Sequence, residues 1–384
     1  MPMRARSTAS PDAMIVAEAQ LDPCVLRKED PNWRFALGAS PTTEGVIVTL
    51  TGDNGVKGFG YGSATAHMGA GAEALFAALE MLTPLVVGRD AGPIAETMDF
   101  LDSQIEGHNQ AKAAIDCALH DLAARAQGVP LYRLLGEKVL DSVPILRILA
   151  IKTPDEMAAN AQKLVAKGYR HLKIKLEGKV EDDVARVRAI RRAVGDDIHL
   201  TVDANQSYSV GGAIAALNHM AEFGIELAEQ PVNAADLEGL KQVTDCVPVV
   251  VEADESASSL ARVKELVEGR VVDAISLKIP KLGGLLKTME AASICEAGGV
   301  GYRMGAAVGS RLLSAQAMHL AATLRKLEYA CELGEFDRLL DDPFSGIAIE
   351  NGHLALPESH GSGVVLREGE TLKGARRWAD TERV

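Results

Sequence analysis

Residues 171–205 read HLKIKLEGKVEDDVARVRAIRRAVGDDIHLTVDAN. A short apolar strand ends in Lys173-Ile174-Lys175, an amphipathic helical stretch follows, and a second strand ends in Asp203-Ala204-Asn205. The same unit recurs along the chain. Strand-like runs at Val143–Leu149, His171–Lys175, His199–Asp203, Ile225–Glu229, Val249–Ala253, Ala274–Lys278, Gly299–Met304 and Leu327–Glu332 alternate with helical stretches and Gly or Pro breakers. Eight strand–helix units in about 200 residues predict a closed parallel (β/α)8-type barrel. An open doubly wound sheet would carry a glycine-rich phosphate loop after its first strand, and Leu149-Ala150-Ile151-Lys152-Thr153 is not one.

Ahead of the barrel the pattern differs. Gly45-Val46-Ile47-Val48-Thr49-Leu50 runs into the turn Thr51-Gly52-Asp53-Asn54-Gly55, as between two antiparallel strands. Helical periodicity covers Glu73 to Leu85 and Ala111 to Gln127, the latter closed by Gly128-Val129-Pro130. We therefore expect an α+β capping domain over 13–138, a barrel over 139–356, and a final segment, 357–384, that returns to the cap. Met1 to Asp12 is polar, carries Arg4 and Arg6, and lacks the apolar centre of a signal peptide; a loose tail is expected.

Composition narrows the function classes. With 47% apolar residues in 384 the chain buries a sizeable core, yet it has no uninterrupted apolar run long enough for a bilayer. A formal charge of −13 argues against nucleic acid or an anionic membrane as a main partner. Five scattered cysteines suit reduced thiols in a cytoplasm better than a disulfide framework or a zinc site.

The chemistry lies in how each strand ends. Lys175 to Asp203, Asp203 to Glu229, Glu229 to Asp254 and Asp254 to Lys278 are spaced by 28, 26, 25 and 24 residues, one strand–helix unit each. One polar residue thus recurs at nearly the same height, at the C-terminal mouth where barrel active sites sit. Strands two and six face each other across an eight-membered ring. Strands three to five form the arc between them and bring three carboxylates to one point. Buried and unpaired, these would be prohibitively costly. A hard divalent cation resolves the conflict, and an all-oxygen set selects Mg2+. Asp203, Glu229 and Asp254 are the expected ligands, with Lys175 and Lys278 addressing opposite faces of whatever the ion holds. Lys173 shares the inward parity of Lys175, so each is expected to depress the other toward the neutral, basic form. Asn205 and Glu332 point to the same mouth.

The order Lys-x-Lys, Asp-x-Asn, Glu-Gln-Pro, Asp-Glu-Ser and a sixth-strand Lys followed by Gly283-Gly284 resembles the enolase superfamily, in its mandelate racemase/muconate lactonizing enzyme branch. The stretch Ala113 to Leu122 and the run Pro130-Leu131-Tyr132-Arg133-Leu134-Leu135-Gly136 look like that family's cap-to-barrel junction. The resemblance implies Lys175 and Lys278 as acid/base residues, Lys173 as a holder of the substrate carboxylate, and Mg2+ (or Mn2+ in its place) on the three acids. It also implies a small carboxylate substrate, a cytoplasmic homo-oligomer, and cap loops that choose the substrate. Those loops are Leu26–Ala39, with Trp33 and Phe35, and Tyr61–Gly69, with His67. Three motifs depart from the pattern. Gly58-Phe59-Gly60-Tyr61 has a tyrosine where an acid is common, Ala306-Ala307-Val308-Gly309-Ser310 lacks a Glu, and Cys331-Glu332-Leu333-Gly334 lacks the Asp-x-Asp of dipeptide epimerases.

The expected reaction is removal of a proton next to a carboxylate through a metal-stabilised enediolate, completed as an isomerisation: racemisation, epimerisation or cycloisomerisation. A dehydratase acting on a hydroxy acid, or on a hydroxylated amino acid such as 3-hydroxyproline, would use the same residues. A non-catalytic barrel has no need of matched bases. Lys281, three residues past Lys278 and beyond Pro280, is expected to be a loop lysine. Glu252 is expected to support a lysine beneath the metal, and His171 to be a core histidine.

Overall fold

A computed structural model describes residues 13–380; the polar tail expected at 1–12 lies outside them. The cap is a four-stranded antiparallel sheet built on β1 (Val16–Arg27), β2 (Thr42–Gly52) and β3 (Lys57–Ala64). Three helices cover it: α1 (Ala72–Leu82), α2 (Ile94–Gln104) and α3 (Asn109–Ala126). Helix α3 is buried almost throughout because alanines let β3 approach closely. The approach demands Gly60, where a Cβ would stand 1.9 Å from the carbonyl oxygen of Ala114. Asp121 reinforces the contact by accepting the Phe59 N–H at 2.9 Å.

The barrel strands are β4 (Leu146–Leu149), β5 (His171–Lys175), β6 (His199–Asp203), β7 (Ile225–Glu229), β8 (Val250–Ala253), β9 (Ala274–Leu277) and β10 (Gly301–Met304). They form one parallel sheet in sequence order. Between them run α4 (Pro154–Ala166), α5 (Val180–Val194), α6 (Val210–Ala221), α7 (Leu237–Cys246), α8 (Leu260–Glu268) and α9 (Leu285–Gly298), and α10 (Arg311–Ala321) follows β10. Helix α4 starts on a full capping box, Thr153 exchanging hydrogen bonds with Glu156. Among the described residues no helix is long and apolar enough to cross a membrane.

The ends of the ring differ from expectation. Val143–Leu149 is not one strand: Ser142–Pro144 turns away to pair with His353–Ala355. The eighth stave, expected at Leu327–Glu332, is no regular strand. Cys331 bridges Ile145 on one side and Leu327 bridges Tyr302 on the other, and the Glu332 N–H donates to the Met304 carbonyl at 2.9 Å. These isolated bonds close the barrel without a ladder. Strand β11 (Arg376–Ala379), near the end of the chain, lies antiparallel on β1 at the edge of the cap sheet.

Candidate active site

Parallel register sets the inner wall. Lys175 pairs with Asp203, Asp203 with Glu229, and Glu229 with Glu252. Asp254 lies one residue past β8 and Lys278 one past β9. The backbone turns sharply at these ends, with Asn205 at φ +41° and Gln230 at φ +37°. Such left-handed residues cost on the order of 1–3 kcal/mol and concentrate at functional sites. Here Asn205 turns into the mouth, while Gln230 turns to the end of β8.

A cavity of about 380 Å³ opens above this wall, lined among others by Lys175, Lys278, Asp254, Asn205 and Glu332 from the barrel. Trp33 and Phe35 line it from the cap. Lys173, Asp203 and Glu229 form the buried floor. Lys175 donates to an Asp203 carboxylate oxygen and to Asn205 Oδ1 at 2.9 Å. Lys278 donates to Asp254 Oδ2 at 2.6 Å. Lys173 reaches Glu229 at 2.8 Å, Glu332 at 2.6 Å and Asp203 at 3.2 Å. Two lysines from opposite walls therefore enter one cavity, each resting on a carboxylate of the arc.

The electrostatics follow from this pairing. Burial alone would raise Asp203, but Lys175 and Lys173 hold it below the ordinary carboxylate range. Lys278 and Lys281 do the same for Asp254 against its burial. Glu229 goes the other way: burial, with Asp203 beside it, pushes it well above. Its Oε1 is buried without a hydrogen-bond partner. That orphaned oxygen, in a crowd of acids with only oxygen donors, is what a hard divalent cation would satisfy. Lys173 is not depressed as expected, because carboxylates outweigh burial around the buried lysines. Burial lowers Lys278, yet Asp254, Glu332 and Glu229 outweigh it and hold it above its usual value. Lys173 is likewise held up, against burial, by Glu229, Glu332 and Asp203.

Four residues take places other than those expected. Lys281 is no loop lysine: it is buried and donates to Asp254 Oδ1 at 2.5 Å and to the Ser276 carbonyl at 3.1 Å. Past Lys278 the chain makes a helical turn, Ile279–Leu282, so three residues on returns to the same face. Glu252 supports an arginine instead of a lysine, taking Arg303 Nη2 at 2.6 Å and Nε at 2.9 Å. Arg303, fully buried, also reaches Glu229. Tyr61 does not line the cavity. Its ring fills the slot left by Gly45 and Gly309, where an added Cβ would come within 2.3 Å of it. His171 is only half-buried and stacks on His199. Gln230 is a further positioning residue: its Oε1 accepts the backbone N–H groups of Asp254 and Ser256 at 2.9 and 3.0 Å, fixing the β8 terminus.

A capped parallel barrel with a lysine–carboxylate ring at its C-terminal mouth defines a class of enzymes that move protons beside an acidic centre. The comparisons make the class specific. Residues 156–370 match the enolase C-terminal domain-like family, and residues 23–136 match the mandelate racemase/muconate lactonizing enzyme N-terminal domain. The chain belongs to this branch of the enolase superfamily and is an isomerase-class enzyme. It is 37% identical over 291 residues to the chloromuconate cycloisomerase of Cupriavidus necator, covering 74% of this chain and 78% of that one. It is 33% identical to the L-Ala-D/L-Glu epimerase of Clostridium acetobutylicum, over 86% of this chain and 94% of the relative. The muconate lactonizing enzyme of Pseudomonas fluorescens, solved with muconolactone, superposes with a TM-score of 0.90 at 28% identity, over 93% and 98% of the two chains. The dipeptide epimerase of Enterococcus faecalis, solved with Mg and L-Leu-L-Tyr, gives 0.87 at 32%, over 91% and 99%.

Proposed function

We propose that this enzyme transfers the proton α to a substrate carboxylate between Lys175 and Lys278, as a racemase, epimerase or cycloisomerase. The observation that carries the reading is the entry of both ammonium groups into one cavity from opposite walls. Asp203, Glu229 and Asp254 would hold a divalent cation, Mg2+ with Mn2+ as substitute. Bound there, the ion supplies two things: it neutralises carboxylates that keep Lys278 protonated, and it lowers the cost of negative charge on the substrate carboxylate.

The rest is the work of the chain's own residues. Lys173 offers its charge at the floor. One lysine, neutral, takes the α-proton; the other, protonated, returns one to the opposite face. Asn205 holds Lys175, and Lys281 with Gln230 fixes Asp254 against Lys278. Trp33 and Phe35 exclude water and shape the substrate end remote from the reacting carbon. The small-molecule partner is a carboxylate, and in this reading the enzyme is a cytoplasmic homo-oligomer. A dehydratase would need a β-leaving group; the relatives named above are all isomerases, which places that reaction second.

The test is a panel of α-substituted carboxylates in D2O, reading deuterium exchange and product together, beside calorimetric Mg2+ titration. Asp203→Asn and Glu229→Gln should each remove most metal affinity, since an anionic ligand becomes a neutral oxygen. Unchanged affinity in both variants would sink the three-carboxylate site.

A further inference from the structure

The barrel has a second mouth. At its N-terminal end His171 and His199, the first residues of β5 and β6, are register partners. Their rings stack with centroids 4.4 Å apart and planes 14° from parallel. Both share the inward parity of Lys173 and Asp203, four residues from the catalytic end of each strand.

Glu226 completes the group by an irregularity. In β7 the register steps from Ile225–Leu200 to Leu227–Thr201, leaving Glu226 as an extra residue opposite no partner. Regular alternation would aim it away from the barrel interior. The bulge re-aims it, and its Oε2 stands 3.5 Å from His199 Nδ1. One ligand atom from each of the three residues lies within 4.8 Å of the other two.

We propose that this lower mouth is a second cation site, at which His171, His199 and Glu226 bind a borderline transition ion such as Zn2+. The donor set is the opposite of the upper one. Two imidazoles and a carboxylate favour Zn2+, Co2+ or Ni2+, whereas an all-oxygen set favours Mg2+. Tetrahedral Zn2+ with ligands at about 2.0–2.1 Å needs them about 3.3 Å apart, a closure that calls for the imidazoles to turn about χ2 out of their stack. His199 is 52% exposed, so an ion enters directly from solvent. An ion here would pin the lower ends of the three strands whose upper ends carry Lys175, Asp203 and Glu229.

The experiment uses full-length enzyme already saturated with Mg2+, titrated calorimetrically with Zn2+. Co2+ in place of Zn2+ reports by visible absorption, because nitrogen-bound tetrahedral Co2+ absorbs far more strongly than octahedral oxygen-bound Co2+. We expect one equivalent of Zn2+ bound at micromolar concentration, with affinity retained in Asp203→Asn and falling at least tenfold in both His199→Ala and Glu226→Gln. Mg2+-dependent proton exchange should persist in those two lower-mouth variants. No uptake in the presence of Mg2+ overturns the proposal. So does uptake that survives both lower-mouth substitutions, and so does uptake lost only in Asp203→Asn, which would assign the ion to the upper site. None of these outcomes bears on the lysine mechanism.

Discussion

Lys175 and Lys278 reach the cavity from opposite walls, so their loss should be separable. With a racemisable substrate, Lys175→Ala is expected to lose α-proton exchange on one enantiomer while Lys278 still exchanges the other. Lys278→Ala should give the mirror result. Each deletion should cost at least about 10²–10⁴ in rate, the usual worth of positioned acid–base catalysis. Exchange of both enantiomers at undiminished rate in either variant would overturn the two-base reading. The positions of these lysines were legible because strand periodicity sets height and parity at once. What escaped was whatever depends on geometry after a strand ends. Lys281 was misjudged because parity was carried into a helical turn. In Gly301-Tyr302-Arg303-Met304 the lone arginine of a buried strand is a signal in itself. The charge of Lys173 also differs from expectation, since Glu229 and Glu332 lie against its ammonium at 2.8 and 2.6 Å.

At the scale of elements, the cap loop after β1 is the piece we propose to tell substrates apart. Trp33 and Phe35 pack ring to ring at 5.5 Å over the cavity, and Lys28 lies 4.6 Å above the Trp33 ring. The loop is latched to the barrel by Arg34 on Glu177 at 2.9 Å, Asp30 on Lys152 at 2.9 Å, and the Arg34 carbonyl on Ile151 N–H at 2.9 Å. Trp33→Ala or Phe35→Ala is expected to reorder relative kcat/KM values across a carboxylate panel by tenfold or more, with metal affinity unchanged. Identical relative rates would show that selectivity resides elsewhere. The loop's place over the mouth followed from the family resemblance, not from periodicity. Tyr61 shows the limit of that route: Gly309, far away in sequence, opens the slot that takes its ring out of the cavity, and no local pattern announces such a pair. The irregular eighth stave was also over-read, because an apolar run of strand length does not say whether its neighbours offer a full ladder.

For the whole molecule, stability should respond to acid through histidines buried in the neutral form. His319 of α10 is fully buried and accepts the Tyr132 N–H at Nδ1, 3.3 Å away. Burial pushes its pKa down to about 4, while an unfolded imidazole titrates near 6.5. Between those values the unfolded chain binds the extra proton. The stability is therefore fully present above pH 6.5 and is lost as the pH falls toward 4, by on the order of 3 kcal/mol for this one group. His319→Gln should reduce the slope of unfolding free energy against pH near pH 5 by close to one proton; an unaltered slope would remove His319 from the account. His171 acts with the same sign, so some slope should remain.

The seam that closes the barrel also carries the substrate loop. Leu340 N–H donates to the Arg27 carbonyl and Glu29 N–H to the Arg338 carbonyl, at 2.9 and 2.8 Å, a few residues beyond the bonds by which Cys331 and Glu332 hold the eighth stave. Arg27 and Asp341 add an exposed bidentate pair across the same junction. With only isolated bonds on either side of that stave, the wall can breathe there at lower free energy than elsewhere in the ring. Admission of substrate and transient opening of the barrel are then expected to be one motion. In amide hydrogen exchange, Glu29, Leu340, Cys331 and Glu332 should form a single cooperative group, faster than β5 to β9 and slowed together when a carboxylate occupies the cavity.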